Sequence, residues 1–219
     1  LVGLSSAENK NFPILVRRIP DLQKADDKKQ KMFEILSKQE SNLRLPNDID
    51  VSRTVETMNF YNFGYCKLFL SLIEERITRS RPDMEDEHLQ IEHIMPQTLN
   101  NEWETKLGSD YESIHQEMVH NIGNLTLIRH NKELGNKPFD EKKEIYENLA
   151  GLQIAKTMIT DKGKWNKDSI KRRAAWMIRF IIEEVLPIPD GMRRVNNFAA
   201  KKGGGLSFQE LQLIGLDID

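Results

Sequence analysis

The sequence is poor in cysteine and in long apolar runs. It contains one cysteine, Cys66, among 219 residues, so an internal disulfide and a cysteine-based zinc site are both excluded. No apolar stretch approaches the ~20 residues that cross a bilayer, and the first residues lack a signal-peptide pattern. We therefore expect a cytoplasmic location and no membrane contact.

There is no excess of positive charge either. The formal net charge is -2 and the sequence pI is about 6.3, so any contact with nucleic acid must use a local basic patch. Hydrophobic residues make up 38% and charged residues 30%, which predicts a folded core under a well-solvated surface. The sequence does not begin with Met, and we expect it to be a piece of a longer protein.

Helical spacing of apolar residues is clearest near the two ends. We predict a polar helix over about residues 26–42 and a second, longer helix over about 52–78. A last helix is expected from Asp168 or Ser169 to Pro187, followed by a flexible linker over 201–205 and the start of a further segment over 206–219. In the second helix, the repeated apolar positions are Phe63, Cys66, Leu70, Ile73 and Ile77.

The centre of the chain has a different pattern. Alternation predicts a short strand within residues 88–96, ended by Pro96, and a second strand over 123–128. The polar stretch between them, residues 97–120, is expected to be partly helical. A loop over 131–136 then leads to a helix from Pro138 to near Gly151. The predicted order is strand, long loop, strand, helix.

The pair Glu92-His93 carries the first chemical hypothesis. A neutral imidazole can take a proton from water near pH 7, and a carboxylate can hold a hard divalent cation. The alternative is a strand-end histidine that only bonds a backbone group. Neighbouring residues of a strand point to opposite faces, so both can serve one site only where the strand ends or is irregular, as Pro96 favours.

A resemblance to a nuclease family rests on several motifs in order. Residues 92–97 (EHIMPQ) and 123–127 (GNLTL), followed by Asn131, Asn136 and Pro138-Phe139, resemble the HNH or His-Me finger nucleases. More narrowly, they resemble the nuclease domain of the GmrS/GmrD-type restriction proteins. The match extends over about residues 45–187. Further agreement comes from Trp103, from Glu141-Lys142-Lys143, and from Trp176 with Arg179.

The resemblance implies an architecture. It is an α+β, mostly helical fold in which helices flank a small ββα-metal (HNH-like) core with a two-stranded antiparallel hairpin. The implied domains are an N-terminal helical segment over 1–50, an HNH-like nuclease domain over 51–190, and a linker with the start of a further segment over 191–219.

The resemblance also implies residue roles. His93 would be the general base, and Asn124 would hold it in position through its amide. Glu92, where many of these enzymes carry aspartate, would bind a divalent metal, Mg²⁺ or else Mn²⁺. No third-motif histidine stands clearly at the metal position, so the remaining ligands are left open among Asn131, Asn136 and His130.

Basic residues are the candidates for DNA contact, because positive groups pair with phosphates. Arg129, Lys132 and Lys137 flank the proposed site. A second cluster precedes or begins the last helix, where the alternative is a solvated helix face; it consists of Lys164, Lys167, Lys171, Arg172 and Arg173. We expect His88, His115 and His120 to be surface residues and Cys66 to be a buried small hydrophobe.

The function that the resemblance implies is a metal-dependent endonuclease that hydrolyses DNA phosphodiester bonds in restriction of foreign or modified DNA. The family places a ParB-like NTPase domain upstream in the parent protein. No small-molecule ligand is expected for this stretch. Two alternatives stay open: a catalytically weak nucleic-acid-binding or regulatory module of a defence protein, and an RNA-directed toxin nuclease.

Overall fold

The computed structural model describes residues 8–38, 46, 48–129, 131–148, 151–159 and 163–187, without the side chains of residues 8–12 and 131. These residues are mostly helical and include a two-stranded antiparallel hairpin, which confirms the expected α+β class. They divide into two compact units. Described residues up to Thr54, with Leu186 and Pro187, belong to one, and Val55–Val185 form the other. The predicted linker and final segment lie outside the described residues.

The first unit contains short helices. Helix α3 (Lys28–Ser37) lies within the predicted helix over 26–42, of which residues 39–42 are outside the described part. The Asp27 carboxylate accepts the backbone N–H of Gln30 at 2.8 Å and so caps the first turn. Two preceding helices were not predicted: α1 (Glu8–Arg17) and α2 (Ile19–Gln23).

The single helix predicted over 52–78 is wrong, because the structure has two helices here. They are α4 (Asp48–Thr57) and α5 (Cys66–Thr78). Between them the Asn59 side chain accepts the N–H of Asn62 at 3.0 Å, and the N–H of Phe60 bonds the carbonyl of His120 at 3.0 Å. Those bonds replace helical ones and turn the chain toward the hairpin.

The apolar face expected on α5 is confirmed at its buried positions, Cys66, Leu70 and Ile73. Burial raises the pKa of the Cys66 thiol to about 12, so the thiol stays protonated near neutral pH. A protonated, buried thiol is a poor nucleophile and a poor metal ligand. Cys66 is therefore a core residue, as predicted.

The hairpin joins the two predicted strands across a helical insertion. Strand β1 (Gln90–His93) pairs antiparallel with β2 (Leu125–Ile128), and His93 stands opposite Leu125. Helices α6 (Asn101–Leu107) and α7 (Tyr111–Met118) lie between them in sequence, which confirms a partly helical insertion. A single 3₁₀ turn, Ile122–Asn124, precedes β2. The register brings the residues just after β1 close to those just before β2.

Two helices follow the hairpin. They are α8 (Phe139–Asn148) and α9 (Lys167–Phe180), the second continued by a π-helical turn, Ile181–Val185. Gly123 packs directly on α9, where a Cβ atom would lie 2.1 Å from the carbonyl oxygen of Ile170. Only glycine allows this approach, so Gly123 fixes the start of β2 against α9. Among the described residues, we find no helix with the length and hydrophobicity that a bilayer-spanning segment requires.

Candidate active site

His93 is the last residue of β1, and its imidazole lies beside a second histidine. The Nε2 atom of His93 is 3.1 Å from Nδ1 of His120. The Tyr61 ring contacts both: it stacks on His120 at 13° and meets His93 edge-on with ring centres 4.6 Å apart. His93 is 4% exposed. The His93 imidazole is therefore in contact with the rings of Tyr61 and His120 at the end of β1.

The surroundings of His93 favour its neutral form. Burial lowers the pKa of His93 to about 3, with smaller contributions from His120, Lys142 and His115. Burial also lowers the pKa of His120, with His115 acting in the same direction. A neutral imidazole keeps one nitrogen lone pair. His93 is thus neutral near physiological pH, with one ring nitrogen free to act as an acceptor.

Glu92 points to the other side of β1, as strand alternation requires. Its Oε1 accepts a bond from Nζ of Lys142 at 2.7 Å and lies 3.4 Å from the hydroxyl of Tyr146. The side chains of Lys142 and Glu92 are 0% and 7% exposed. Burial raises the pKa of Glu92 and lowers that of Lys142, and each opposes the shift of the other. Glu92 belongs to the EHIMPQ motif, and Lys142 belongs to the Glu141-Lys142-Lys143 motif.

Lys142 also acts on the neighbouring residue. Its Nζ donates to the main-chain carbonyl of His93 at 2.9 Å. One ammonium from α8 therefore binds the side chain of Glu92 and the backbone of His93 together. This contact fixes the end of β1 on the Glu92 face of the strand, opposite the face on which the His93 ring lies.

Asn124 bonds the chain that follows His93. Its Oδ1 accepts the N–H of Met95 at 2.8 Å and the indole N–H of Trp165 at 3.0 Å. Its Nδ2 donates to the carbonyls of Met95 and Val119, each at 2.9 Å. The side chain is fully buried. Asn124 thus acts on His93 through the backbone of the next residues, and no contact with the His93 ring is among its described bonds.

A pocket opens at the end of β1. Its volume is about 220 Å³. The loop that carries Asn136 forms one side of the pocket, and two hydrogen bonds hold this loop in place. Nδ2 of Asn100 donates to the carbonyl of Asn136 at 2.9 Å, and the indole N–H of Trp103 donates to the carbonyl of Lys137 at 3.0 Å. The pocket is lined by Tyr61, Ile91, Glu92, His93, Pro96, Gln97, Thr98, Gly135 and Asn136.

The donors around this pocket suit a divalent metal in kind. Glu92 and Asn136 offer oxygen atoms, which Mg²⁺ prefers, and both line the pocket beside His93. The ammonium of Lys142 on Oε1 of Glu92 opposes a cation there. No group of three or more His, Cys, Asp or Glu side chains suited to a metal occurs within the described residues. His130 and the side chain of Asn131 lie outside them.

One predicted DNA contact needs correction. Arg173 is fully buried, and its guanidinium donates to the carbonyls of Gly123 at 2.9 Å, Leu125 at 2.6 Å and Ile154 at 3.1 Å. Such a side chain ties α9 to β2 and cannot reach a phosphate. The basic appearance of its neighbourhood in sequence concealed a buried structural arginine.

The other basic residues are at the surface. Arg129 bonds Asp86 at 2.9 Å, and Lys137 bonds Glu141 at 3.0 Å. Lys132 is exposed. The second cluster lies on the outer face of α9 and its approach, where Lys167 pairs with Glu117. The exposed members of that cluster are Lys164, Lys171 and Arg172.

Three residues beside His93 were missed in the sequence. His120 and His115 were expected at the surface, yet His120 contacts His93 and His115 bonds the carbonyl of Pro96 at 2.9 Å. Tyr61 fell within the wrongly extended helix. A signal for His120 does exist: antiparallel pairing of His93 with Leu125 brings the residues before β2 to the end of β1. His88 is exposed, as predicted.

Comparison with known protein families gives a match over most of the chain. A family model described as "GmrSD restriction endonucleases, C-terminal domain" matches residues 23–180, which include the hairpin, the pocket and all of α9. No curated protein matches the chain. The family is a domain of restriction endonucleases, which supports a nuclease role in restriction. The chain belongs to the family of C-terminal domains of GmrSD restriction endonucleases.

Proposed function

We propose that this domain is a metal-dependent endonuclease of the HNH type that hydrolyses DNA phosphodiester bonds. The observation that supports it most is the pocket of about 220 Å³ whose lining includes the strand-end His93 together with Glu92 and Asn136. A neutral imidazole and two oxygen donors beside one cavity are what water activation and cation binding need. Family membership adds a restriction context.

In this proposal His93 accepts a proton from water as the water oxygen bonds to phosphorus. The P–O3′ bond breaks to leave a 5′-phosphate, and the 3′-oxygen takes a proton from solvent to become a hydroxyl. Asn124 positions His93 through the Met95 backbone, and Lys142 does so through the His93 carbonyl. Tyr61 limits the movement of the imidazole through the edge contact between the two rings. Each of these side chains is held by contacts within the domain, so little rearrangement is needed before reaction.

A divalent cation, when bound, would neutralise charge on the scissile phosphate and stabilise the leaving oxygen. Glu92 and Asn136 are the proposed ligands, with Asn131 and His130 as candidates for the remaining positions. The salt bridge to Lys142 gives Glu92 a second role, in fixing β1. The carboxylate could serve both only through the oxygen that Lys142 does not hold.

We propose that the basic side chains near the pocket contact the DNA substrate. Lys132 lies in the loop over 131–136 that carries Asn136, and Arg129 and Lys137 flank that loop, so these three are the candidates to pair with the phosphates of a bound strand. Lys171 and Arg172 would extend the contact along α9. In the parent protein, a ParB-like NTPase domain upstream would supply targeting.

Plasmid cleavage tests the proposal. The intact parent protein is incubated with supercoiled DNA and Mg²⁺ or Mn²⁺, as wild type, His93→Ala and His88→Ala. We expect His93→Ala to lose cleavage by a factor of at least about 100, because general-base catalysis typically contributes that much. His88→Ala is the matched control, since its side chain is 73% exposed, and should cut like wild type. Equal cutting by His93→Ala and wild type would refute the proposal.

A catalytically weak binding or regulatory module is the second candidate. It is favoured by the buried Lys142 ammonium on Glu92, which opposes a metal at that carboxylate. Titration calorimetry of Mn²⁺ into the wild-type chain and into Asn136→Ala separates the two. Binding that Asn136→Ala weakens supports the nuclease, whereas no binding at millimolar Mn²⁺ supports the module.

A further inference from the structure

His120 is held in place before it meets His93. It follows α7, and its own carbonyl accepts the N–H of Phe60 at 3.0 Å. The carbonyl of the preceding residue, Val119, accepts a bond from Asn124 at 2.9 Å. The Tyr61 ring stacks on the imidazole at 13°. Backbone and ring contacts together therefore hold the His120 imidazole beside the His93 ring.

We propose that His120 is a positioning residue that sets the tautomer of His93. The atoms in contact are Nε2 of His93 and Nδ1 of His120, 3.1 Å apart. With the proton on Nε2 of His93, that nitrogen donates to the lone pair of His120, and Nδ1 of His93 is left as the basic nitrogen. The inference rests on the proposed function, since a tautomer matters only if His93 accepts a proton.

The direction of this bond follows from the chemistry of two neutral imidazoles. Each carries one N–H, and the proton on one nitrogen is selected by the bond the other makes. A neutral histidine side chain prefers the proton on Nε2. If His93 donates from Nε2 to Nδ1 of His120, both rings keep that preferred tautomer. The reverse direction would force both rings into the less stable form with the proton on Nδ1.

The same bond also aims the ring. A ring held at Nε2 by His120 and at its edge by Tyr61 cannot rotate its basic nitrogen away without breaking a contact. When Nδ1 takes the proton of water, Nε2 continues to donate, and His120 still accepts. His120 therefore assists without touching the substrate, and the pocket lining does not include it.

Imidazole ¹⁵N NMR of the chain tests the tautomer without relying on nuclease activity. The chain has five histidines, so the ring signals can be assigned by substitution. In wild type we expect a protonated Nε2 and a lone-pair Nδ1 on His93. A proton on Nδ1 of His93 in wild type would overturn the inference, whether or not the protein cuts DNA.

Two variants separate positioning from packing. His120→Ala removes the acceptor and should give His93 mixed tautomers and a kcat lowered about 10- to 100-fold, the usual effect of losing an orienting partner. His120→Asn places an amide oxygen where Nδ1 was and should restore the single tautomer and most of kcat. Its failure to restore either, with the fold retained in the spectrum, would contradict the inference. Inactive wild type with the expected tautomer would instead count against the proposed function alone.

Discussion

Replacing Lys142 with methionine removes the ammonium that contacts the buried carboxylate of Glu92. The pair is 2.7 Å apart, and the side chains of Lys142 and Glu92 are 0% and 7% exposed. Methionine keeps the volume and apolar stem of lysine, so the change is mainly electrostatic. Breaking one partner of a buried ion pair costs about 3–5 kcal/mol, and the carbonyl of His93 also loses a donor.

The expected loss is a large part of the total, since domains of this size unfold with a free energy of about 5–15 kcal/mol. Urea unfolding followed by tryptophan fluorescence measures it. Lys137→Met is the matched control, because it breaks an exposed pair with Glu141 at 3.0 Å and 44%/55% exposure. Such pairs contribute about 0–1 kcal/mol.

The pH dependence gives the sharper test. Without Lys142 the buried Glu92 has its pKa raised by burial with less to oppose it. An acid whose pKa is higher in the folded state stabilises the fold below its unfolded pKa and loses that stability as the pH rises. The destabilisation of Lys142→Met should therefore be smallest below about pH 4 and should increase as the pH rises above the ordinary glutamate pKa of about 4.3.

The reciprocal variant, Glu92→Gln, should show the opposite pH dependence of stability. Glu92→Gln leaves a buried lysine whose pKa is lowered by burial, so its destabilisation should decrease as the pH rises towards the ordinary lysine pKa of about 10.4. The double variant removes both charges and should be more stable than Lys142→Met alone. A loss below about 1 kcal/mol for Lys142→Met, constant from pH 4 to 8, would refute the buried-pair reasoning.

Other substitutions test the contacts around the hairpin. Gly123→Ala should lower the free energy of unfolding by at least about 1–3 kcal/mol through overpacking, because a Cβ would lie 2.1 Å from a backbone oxygen of α9. As a control, Gly64→Ala places its Cβ in open space and should change the free energy of unfolding by about 0.5 kcal/mol or less. Asn124→Ala should cost about 2–4 kcal/mol in the same assay, since four buried hydrogen bonds are lost and unpaired buried groups cost about 1–3 kcal/mol each before relaxation. Lys132→Ala should weaken DNA binding by the parent protein and reduce the slope of log K against log salt by about 0.9; an unchanged slope would remove Lys132 from the DNA contacts.

Local patterns predicted the hairpin well because its two strands carry their own signals. Alternation and Pro96 defined the first strand, and the GNLTL run defined the second. The pairing of His93 with Leu125 then needs only that two short strands close on each other. Helix α9 was equally readable, and its first turn is capped by Asn166, which accepts the N–H of Ser169 at 3.0 Å.

The interruption between α4 and α5 could not be predicted from local sequence patterns. Apolar residues such as Phe60 and Phe63 continue a helical spacing through it, and the break depends on a bond from Phe60 to the carbonyl of His120. That partner is 60 residues further along the chain. Tertiary contacts overrode the local preference, and Tyr61 reached the site as a result.

Buried charges were the second limit. Arg173 and Lys142 appear among other basic and acidic residues, which a sequence pattern assigns to the surface. Their partners are the carbonyls of Gly123 and Leu125 in one case and Glu92 in the other. Each partner lies about fifty residues away, so neither burial nor pairing leaves a local trace.

Alternation along β1 explains how one dipeptide supports two tasks. The Glu92 side chain meets α8 on one face, while the His93 ring meets His120 and Tyr61 on the other. The faces are still coupled, because Lys142 bonds the Glu92 carboxylate and the His93 carbonyl with one ammonium. Stability and ring placement should therefore respond together to Lys142, whereas His120 should act on the ring while leaving the ion pair intact. Adjacent residues in sequence thus belong to networks that substitution can separate.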